Sequence, residues 1–349
     1  MTTSQNTILS RFRSGLIFGL VAGVLLYVGY ALWVGWEDVA EALRSFLWRW
    51  LPVLLLLSLG NYLVRFVRWE AYLRTLEIQI PFRSSMAIFL CGLAMTITPG
   101  KVGEFLKSYL LKESHGVPMA TSAPVVFAER VTDLLALVLL ASVGVASYGG
   151  PKARLVLGLA GGCVALALVV LQSNRLTAQV LSLVEGFPLG ARIAPKLREV
   201  LDASRALLAL RPLLVGLVLA ILAWFLECYG YWLAFDAFPV PVDMDLGVAV
   251  FAYSFSTVAG VVSPGGIGPT DVGLIELART FTPDLADQRE LAAAASFIVR
   301  VCTLWFAVGL GALALLRFRT LVEVDVEVAR SGESQRSNRG GPEAPVSTQ

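Results

Sequence analysis

The sequence predicts an all-α, polytopic integral membrane protein with six full spans and two re-entrant, broken helices arranged as inverted repeats. Apolar residues make up 56% of its 349 residues and charged residues 15%, whereas soluble domains carry about 25% charged residues. Two similar Pro-Gly segments interrupt apolar stretches. The distribution of Lys and Arg places these two interruptions on opposite sides of the membrane.

Six apolar stretches approach the length of about 20 residues that a spanning helix needs. The first follows Arg11 and Arg13, as a secretory signal would. It is longer than a typical signal core and no small-residue cleavage site follows it, so we interpret it as an uncleaved helix. The predicted spans are Gly15–Gly35, Trp50–Val67, Ala123–Tyr148, Leu155–Gln172, Pro212–Phe235 and Leu291–Leu316.

Two shorter stretches, Ser84–Thr98 and Leu246–Val262, each end at a Pro-Gly break. A span with the pattern Phe-x-x-Arg-Val-x-x-Leu follows each break, beginning at Phe127 or Phe297, and this pairing indicates an internal duplication. Lipid cannot satisfy a broken helix, so we expect both breaks to lie within protein or to line a polar cavity. The alternative is that both are structural kinks. The break residues are Pro99, Gly100 and Gly103 in the first copy and Pro264, Gly265, Gly266 and Gly268 in the second.

Basic residues concentrate after the second span, in segment 173–211 and after the last span, whereas loop 236–245 has acidic residues and no basic one. This bias predicts an inner-membrane protein with both termini in the cytoplasm. The broken segment 84–113 then begins and ends inside, and 246–282 begins and ends outside. Inverted repeats with discontinuous helices are typical of transporters, whose substrate site lies near the midplane.

This topology divides the chain into a cytoplasmic N-terminus, a transmembrane domain and a polar tail that we expect to be disordered. Segment 173–211 is predicted to hold a short amphipathic helix on the inner surface. Gly158, Gly161 and Gly162 could pack helices within the chain, which we prefer, or form a homodimer face. The predicted bounds are 1–14, 15–319 with repeat halves 50–148 and 212–316, and 320–349.

Ionisable side chains within the spans are functional candidates, because burying charge in a bilayer is costly. Glu129 and Asp133 share a helix face and repel each other. Arg130 can reach Asp133, three residues away, but cannot readily serve both carboxylates. We expect Lys101 and Arg300 to be the further cations. The charges form either a salt-bridge network that only locks helices together or a cavity for a polar headgroup.

Arg300 has no acidic residue within one helical turn, which favours an anion such as phosphate as its partner. The alternative is pairing with Glu227, which could also be protonated in so apolar a span. Lys101 and Glu104 follow the first break and are predicted to open a helix, whose N-terminus favours anions. Asp271 takes the first-turn acidic position after the second break and is either a site residue or a helix cap.

Other features carry less chemistry. Arg68 and Trp69 are interpreted as anchors at the membrane edge. The four cysteines share no motif and read as apolar fillers. No metal motif, cofactor-binding motif, nucleic-acid patch or catalytic set is visible, so we expect no cofactor, no metal, no nucleic-acid partner and no enzymatic activity.

Three segments together resemble one family: TPGKVGE at 98–104, ERVTDLL at 129–135 and SPGGIG at 263–268. It is the lysylphosphatidylglycerol-synthase transmembrane-region family, also described as flippase-like, and the resemblance covers about 13–319. In bifunctional members this region moves aminoacylated phospholipid between leaflets, while a separate soluble domain makes that lipid. The resemblance therefore implies lipid translocation without lysyl transfer, and leaves the lipid open.

We expect a translocase that moves a lipid with an anionic or zwitterionic headgroup between leaflets. Lys101, Arg130 and Arg300 would contact the anion, and Glu129, Asp133 and Glu227 would balance or gate it. An intramembrane transferase acting on a lipid carrier, with Glu104 or Glu129 as base, is one alternative. A scaffold that transports nothing is another.

Overall fold

The computed structural model describes residues 36–148, 150–185 and 190–318, and within these ranges it contains helices and no strand. The helices, numbered in chain order, are α1 (Trp36–Ser45), α2 (Leu51–Thr75), α3 (Phe82–Leu93), α4 (Leu106–His115), α5 (Met119–Tyr148), α6 (Pro151–Gln172), α7 (Asn174–Glu185), α8 (Gly190–Leu207), α9 (Leu210–Phe235), α10 (Leu246–Ala259), α11 (Pro269–Phe281) and α12 (Arg289–Phe318).

Four of the described helices are long and apolar enough to cross a membrane: α2 with its preceding turn, α6, α9 and α12. They match four of the predicted spans. Helix α5 is also long, at 30 residues, and covers the predicted span 123–148. The predicted first span, 15–35, and the predicted tail, 320–349, lie outside the described residues. The number of six spans therefore stays a prediction.

Local sequence signals explain several helix starts. Pro52 and Pro151 occupy the first turns of α2 and α6, where a missing N–H costs no helical hydrogen bond. Asp245 caps α10 by accepting a hydrogen bond from the Gly247 N–H at 2.7 Å. Segment 173–211 forms two helices, α7 and α8, rather than the one predicted, and α8 packs on α5.

The first Pro-Gly break is a tight but hydrogen-bonded interruption. After α3 the chain forms a 3₁₀ turn, passes an extended Thr98, and forms a second 3₁₀ segment, Pro99–Phe105. The Thr98 hydroxyl accepts from the Gly103 N–H at 2.8 Å and donates to the Met95 carbonyl at 2.7 Å. A Cβ at Gly103 would lie within 2.8 Å of Thr98 and Met95. Glycine is therefore required where this loop folds onto itself.

The second break uses glycine conformations instead. Gly265, Gly266 and Gly268 have φ angles of 59°, 74° and 94°, values that glycine adopts without steric cost. Helix α11 then begins at Pro269, and the Gly268 N–H donates to Asp271 Oδ2 at 2.9 Å. Asp271 is thus a cap, as one of its two predicted roles required.

The two breaks contact each other in the interior. Ile97 before the first break and Ile267 of the second form a buried cluster with Leu304 and Val308 of α12. Around them, α2 packs on α9, and α5 packs on both α9 and α10. The interrupted backbones therefore meet within the helix bundle.

Two glycines mark where a long helix of one half touches the broken helix of the other. A Cβ at Gly144 of α5 would lie 2.4 Å from the side chain of Phe251 in α10. A Cβ at Gly311 of α12 would lie 2.2 Å from the backbone nitrogen of Ala94, just after α3. On α6, Gly161 faces Val138, whereas Gly158 and Gly162 face open space.

Candidate functional site

A cavity of about 190 Å³ lies beside the two breaks and is lined by both halves of the chain. Its wall combines charged and aromatic side chains with the backbone of the second break. The polar and aromatic residues of the wall are Tyr62, Arg65, Thr96, Lys101, Arg130, Asp133, Trp224, Glu227, Tyr253, Thr257, Ser263, Thr270, Arg300 and Thr303.

Five of the eight predicted site residues line this cavity, namely Lys101, Arg130, Asp133, Glu227 and Arg300. The other three, Glu104, Glu129 and Asp271, contact charged side chains around it instead. Residues that are far apart in sequence, such as Lys101 and Arg300, therefore belong to one site.

Glu104 is buried among three cations. Its carboxylate lies 3.1 Å from Arg130 Nη2, 3.8 Å from Arg65 Nη2 and 3.9 Å from Lys107 Nζ. It belongs to the 3₁₀ segment, because the α-helix begins only at Leu106. The prediction that Lys101 and Glu104 open an α-helix was therefore wrong by one turn.

Glu129 and Asp133 each pair with one cation that we did not predict, while the predicted pair of Arg130 with Asp133 is also present. Lys107 pairs with Glu129, and Arg68 Nη1 lies 2.7 Å from Asp133 Oδ1. Arg130 Nη2 lies 3.0 Å from the other oxygen of Asp133. The expectation that Lys101 and Arg300 supply these counter-charges was wrong.

Arg68 and Trp69 are not membrane-edge anchors, because both are fully buried. Helix α2 continues to Thr75 instead of ending at Val67, so Arg68 and Trp69 belong to the helix and are not at its end. The Trp69 Nε1–H donates to Ser85 Oγ, and its ring stacks beneath the Lys107 ammonium at 4.6 Å. The apolar residues Tyr72 and Leu73 beyond Arg68 were the signal that the helix continues.

Lys101 is the least neutralised cation of the wall. Among the described residues no carboxylate lies within 4.0 Å of its ammonium, which sits 5.2 Å from the centre of the Trp224 ring. Its φ angle is 56°, in the left-handed region that disfavours side chains. Gly266, at the same position of the second break, has a similar φ of 74°. A lysine is thus held where the fold favours glycine.

Arg300 pairs with Asp271, which lies 29 residues away in the sequence and on another helix. Its Nε donates to Asp271 Oδ1 at 2.9 Å, and its Nη2 donates to the Gly265 carbonyl at 2.5 Å. Both the expectation of an arginine without an acidic partner and the alternative of pairing with Glu227 were wrong. A π-helical turn, Val301–Trp305, follows Arg300 directly, and such turns are frequent at functional sites.

The charges around the first break do not balance. Among the described residues, five cations surround the first break with three carboxylates of the same half, namely Arg65, Arg68, Lys101, Lys107 and Arg130 with Glu104, Glu129 and Asp133. Glu227 of the second half shares the cavity with them and is within ion-pair distance of none. Arg130 Nη2 is within ion-pair distance of two carboxylates but forms no hydrogen bond with either, and its Nε has no hydrogen-bond partner. The first-half wall therefore carries excess positive charge in a setting where charge is costly.

The described residues contain no group of His, Cys, Asp and Glu side chains arranged to hold a metal ion. The four cysteines are all free. The polar side chains of the cavity wall are those of Lys, Arg, Asp, Glu, Ser, Thr, Tyr and Trp residues.

The sequence profile of the family described as "Lysylphosphatidylglycerol synthase TM region" matches residues 20–311. The chain belongs to this family. Two similar relatives, both described as "UPF0104 membrane protein", come from Methanothermobacter thermautotrophicus (strain Delta H). One is 24% identical over 87% of this chain and 95% of the relative, and the other is 23% identical over 83% and 90%. Family membership and the apolar helices identify a multi-pass integral membrane protein.

Proposed function

We propose that this protein translocates a lipid with an anionic or zwitterionic headgroup between leaflets, as a flippase-like transporter. The observation that carries the proposal is a cavity between the two halves whose wall includes Lys101, Arg130 and Arg300. Excess cationic charge buried in a membrane protein is stabilised by a bound anion. The headgroup would occupy the cavity while the acyl chains stay in lipid.

We also propose that the two halves are inverted repeats with re-entrant breaks inside an inner-membrane protein whose termini face the cytoplasm. Each half pairs its Phe-x-x-Arg arginine with a carboxylate that follows its break: Arg130 with Glu104, and Arg300 with Asp271. The reciprocal contacts of Gly144 and Gly311 support the same relationship. Site residues at the repeat interface are typical of transporters of this plan.

The alternative of a transferase is less favoured by the geometry. Its two candidate bases, Glu104 and Glu129, are buried and ion-paired. Cations therefore already engage both carboxylates, Lys107 that of Glu129 and Arg130 that of Glu104. The scaffold alternative accounts for the ion pairs of Lys107, Arg68, Arg130 and Arg300, but not for Lys101, which has no carboxylate within 4.0 Å among the described residues.

Reconstitution in liposomes tests the proposal. Fluorescent phosphatidylglycerol, phosphatidylethanolamine and polyprenyl phosphate would each be placed in both leaflets, and a quencher added outside would report exchange. We expect accelerated exchange of at least one of these lipids, and a loss of at least about tenfold in Lys101→Gln. Absence of acceleration for all three lipids would contradict the proposal, and wild-type rates in Lys101→Gln would remove Lys101 from it.

A further inference from the structure

Glu227 differs from every other acidic residue around the cavity. Glu104, Glu129, Asp133 and Asp271 each lie within ion-pair distance of a Lys or Arg. Glu227 is buried on α9, and among the described residues no cation lies within 4.0 Å of its carboxylate. Its Oε2 accepts a hydrogen bond from the Tyr253 hydroxyl at 2.7 Å. An isolated carboxylate in such a site is costly to ionise.

The charged and titratable groups that face the cavity with Glu227 come from every neighbouring element. The Tyr62 hydroxyl donates a hydrogen bond to the Thr303 carbonyl, and the Tyr253 hydroxyl donates one to Glu227, so both hydroxyls already have an acceptor. The buried thiol of Cys228 adjoins Glu227 on α9 and faces Ser254. The other groups of the wall are Arg65 on α2, Lys101 in the first break, Arg130 and Asp133 on α5, and Arg300 on α12. The thiol of Cys302 on α12 is buried outside this wall.

We infer that Glu227 is a proton-binding site coupled to the headgroup: the carboxylate takes up one proton from the aqueous medium when an anion enters the cavity, and releases it when the anion leaves. The inference rests on the proposed function and adds a coupling ion to it. The proton binds the carboxylate, whose Oε2 keeps the hydrogen bond from Tyr253. No other bond forms or breaks.

Electrostatics and linkage give the sign of the coupling. An anion near Lys101 and Arg130 adds negative charge to the cavity that contains Glu227 and offsets the cations that favour an ionised carboxylate. The protonated carboxyl therefore becomes more favourable when the anion is bound. By reciprocity, protonating Glu227 tightens anion binding by the same factor. For one linked proton the apparent affinity rises by at most about tenfold per unit fall in pH.

Calorimetry of the full chain in detergent tests the inference. Dioctanoyl phosphatidylglycerol and dioctanoyl phosphatidylcholine, whose phosphodiesters do not titrate between pH 6 and 8, serve as lipid probes, and glycerophosphoglycerol serves as a phosphodiester probe without acyl chains. Titration at one pH in two buffers of different ionisation enthalpy counts the protons taken up. We expect uptake of a fraction of a proton, up to one, with a lipid probe, and tighter binding at pH 6 than at pH 8. The same uptake with glycerophosphoglycerol alone would assign the site to a soluble phosphodiester and overturn the lipid coupling.

Glu227→Gln mimics the protonated state with little change in shape. It should bind the lipid probe at least as tightly as wild type at pH 6, with no proton uptake and no change between pH 6 and 8. Tyr253→Phe keeps the carboxylate but removes the donor to its ionised form, so the pH at which binding tightens should rise. Asp236→Asn alters an exposed carboxylate just beyond α9 and is the control, expected to behave as wild type.

Three outcomes separate the inference from the proposed function. Lipid binding with no proton uptake, or uptake that persists in Glu227→Gln, overturns the inference while translocation stands. Proton uptake that disappears in Glu227→Gln supports it. Failure of all lipid probes both to bind and to exchange between leaflets overturns both.

Discussion

At the scale of single residues, two substitutions of Lys101 distinguish its effect on lipid exchange from its effect on stability. Its left-handed backbone is unfavourable for a side chain by about 1–2 kcal/mol. Lys101→Gly should relieve this strain, whereas Lys101→Gln should keep it, and both remove the charge. We expect the glycine variant to be more stable than the glutamine variant by about 1 kcal/mol, as measured by thermal unfolding in detergent.

Both Lys101 variants should lose lipid exchange to a similar extent, because both lack the ammonium. A glycine variant that is less stable than the glutamine variant would contradict the role of backbone strain. A glycine variant that exchanges lipid at the wild-type rate would contradict the role of the charge.

Substitution of Arg68 tests whether the buried ion pair of Arg68 with Asp133 holds the helices together. Its side chain is fully buried against Asp133, and breaking a buried ion pair costs about 3–5 kcal/mol. Arg68→Gln should therefore sharply reduce the yield of monodisperse protein and its unfolding temperature. The matched control is Arg74→Gln on the same helix, whose side chain is 80% exposed and should change stability by less than about 0.5 kcal/mol. Equal behaviour of the two variants would exclude a locking role for Arg68.

Some charged residues of the site could be predicted from the sequence, and others could not. Arg130, Arg300 and Lys101 were found because a charge in an apolar stretch is conspicuous. Arg68 was misread, because a basic residue near the predicted end of a span looks like an anchor. Lys107 was missed because it follows the break in a polar stretch, and its pairing with Glu129 depends on how α4 returns against α5.

At the scale of elements, the contact between α12 and the first broken helix depends on Gly311. A Cβ there would meet backbone atoms of Ala94 and Leu90, which cannot rotate away as a side chain can. Gly311→Ala should cost about 1–3 kcal/mol of stability by overpacking. Gly309→Ala, on the same helix but facing open space, should be neutral or stabilising by up to about 1 kcal/mol. Thermal unfolding of both variants checks this contrast, and an equally destabilised Gly309→Ala would contradict it.

The sequence predicted which helices are broken but not how each break is satisfied. The repeated Phe-x-x-Arg-Val-x-x-Leu motif and the Pro-Gly pattern located both interruptions. The hydroxyl of Thr98, the cap of Asp271 and the meeting of Ile97 with Ile267 depend on contacts that no local pattern encodes. The same limit hid the Arg300–Asp271 pair, whose members belong to different helices.

At the scale of the whole molecule, inverted topology predicts that the two broken segments end on opposite sides of the membrane. Glu113 at the end of the first broken segment and Asp287 after the second are both exposed. In a Cys163→Ser background, which removes the exposed native thiol, Glu113→Cys should react with an impermeant reagent only from the cytoplasmic side. Asp287→Cys should react only from the outside. Labelling of both from the same side would contradict the inverted arrangement.

The most direct measurement is an experimental structure of the protein in nanodiscs that contain phosphatidylglycerol and polyprenyl phosphate. We expect lipid density with its phosphate inside the cavity, in contact with Lys101 and Arg130 on the first-half wall. Its acyl chains should leave between helices toward the bilayer. Ordered lipids confined to the outer surface of the helices, with water alone in the cavity, would contradict the claim that this cavity holds a headgroup.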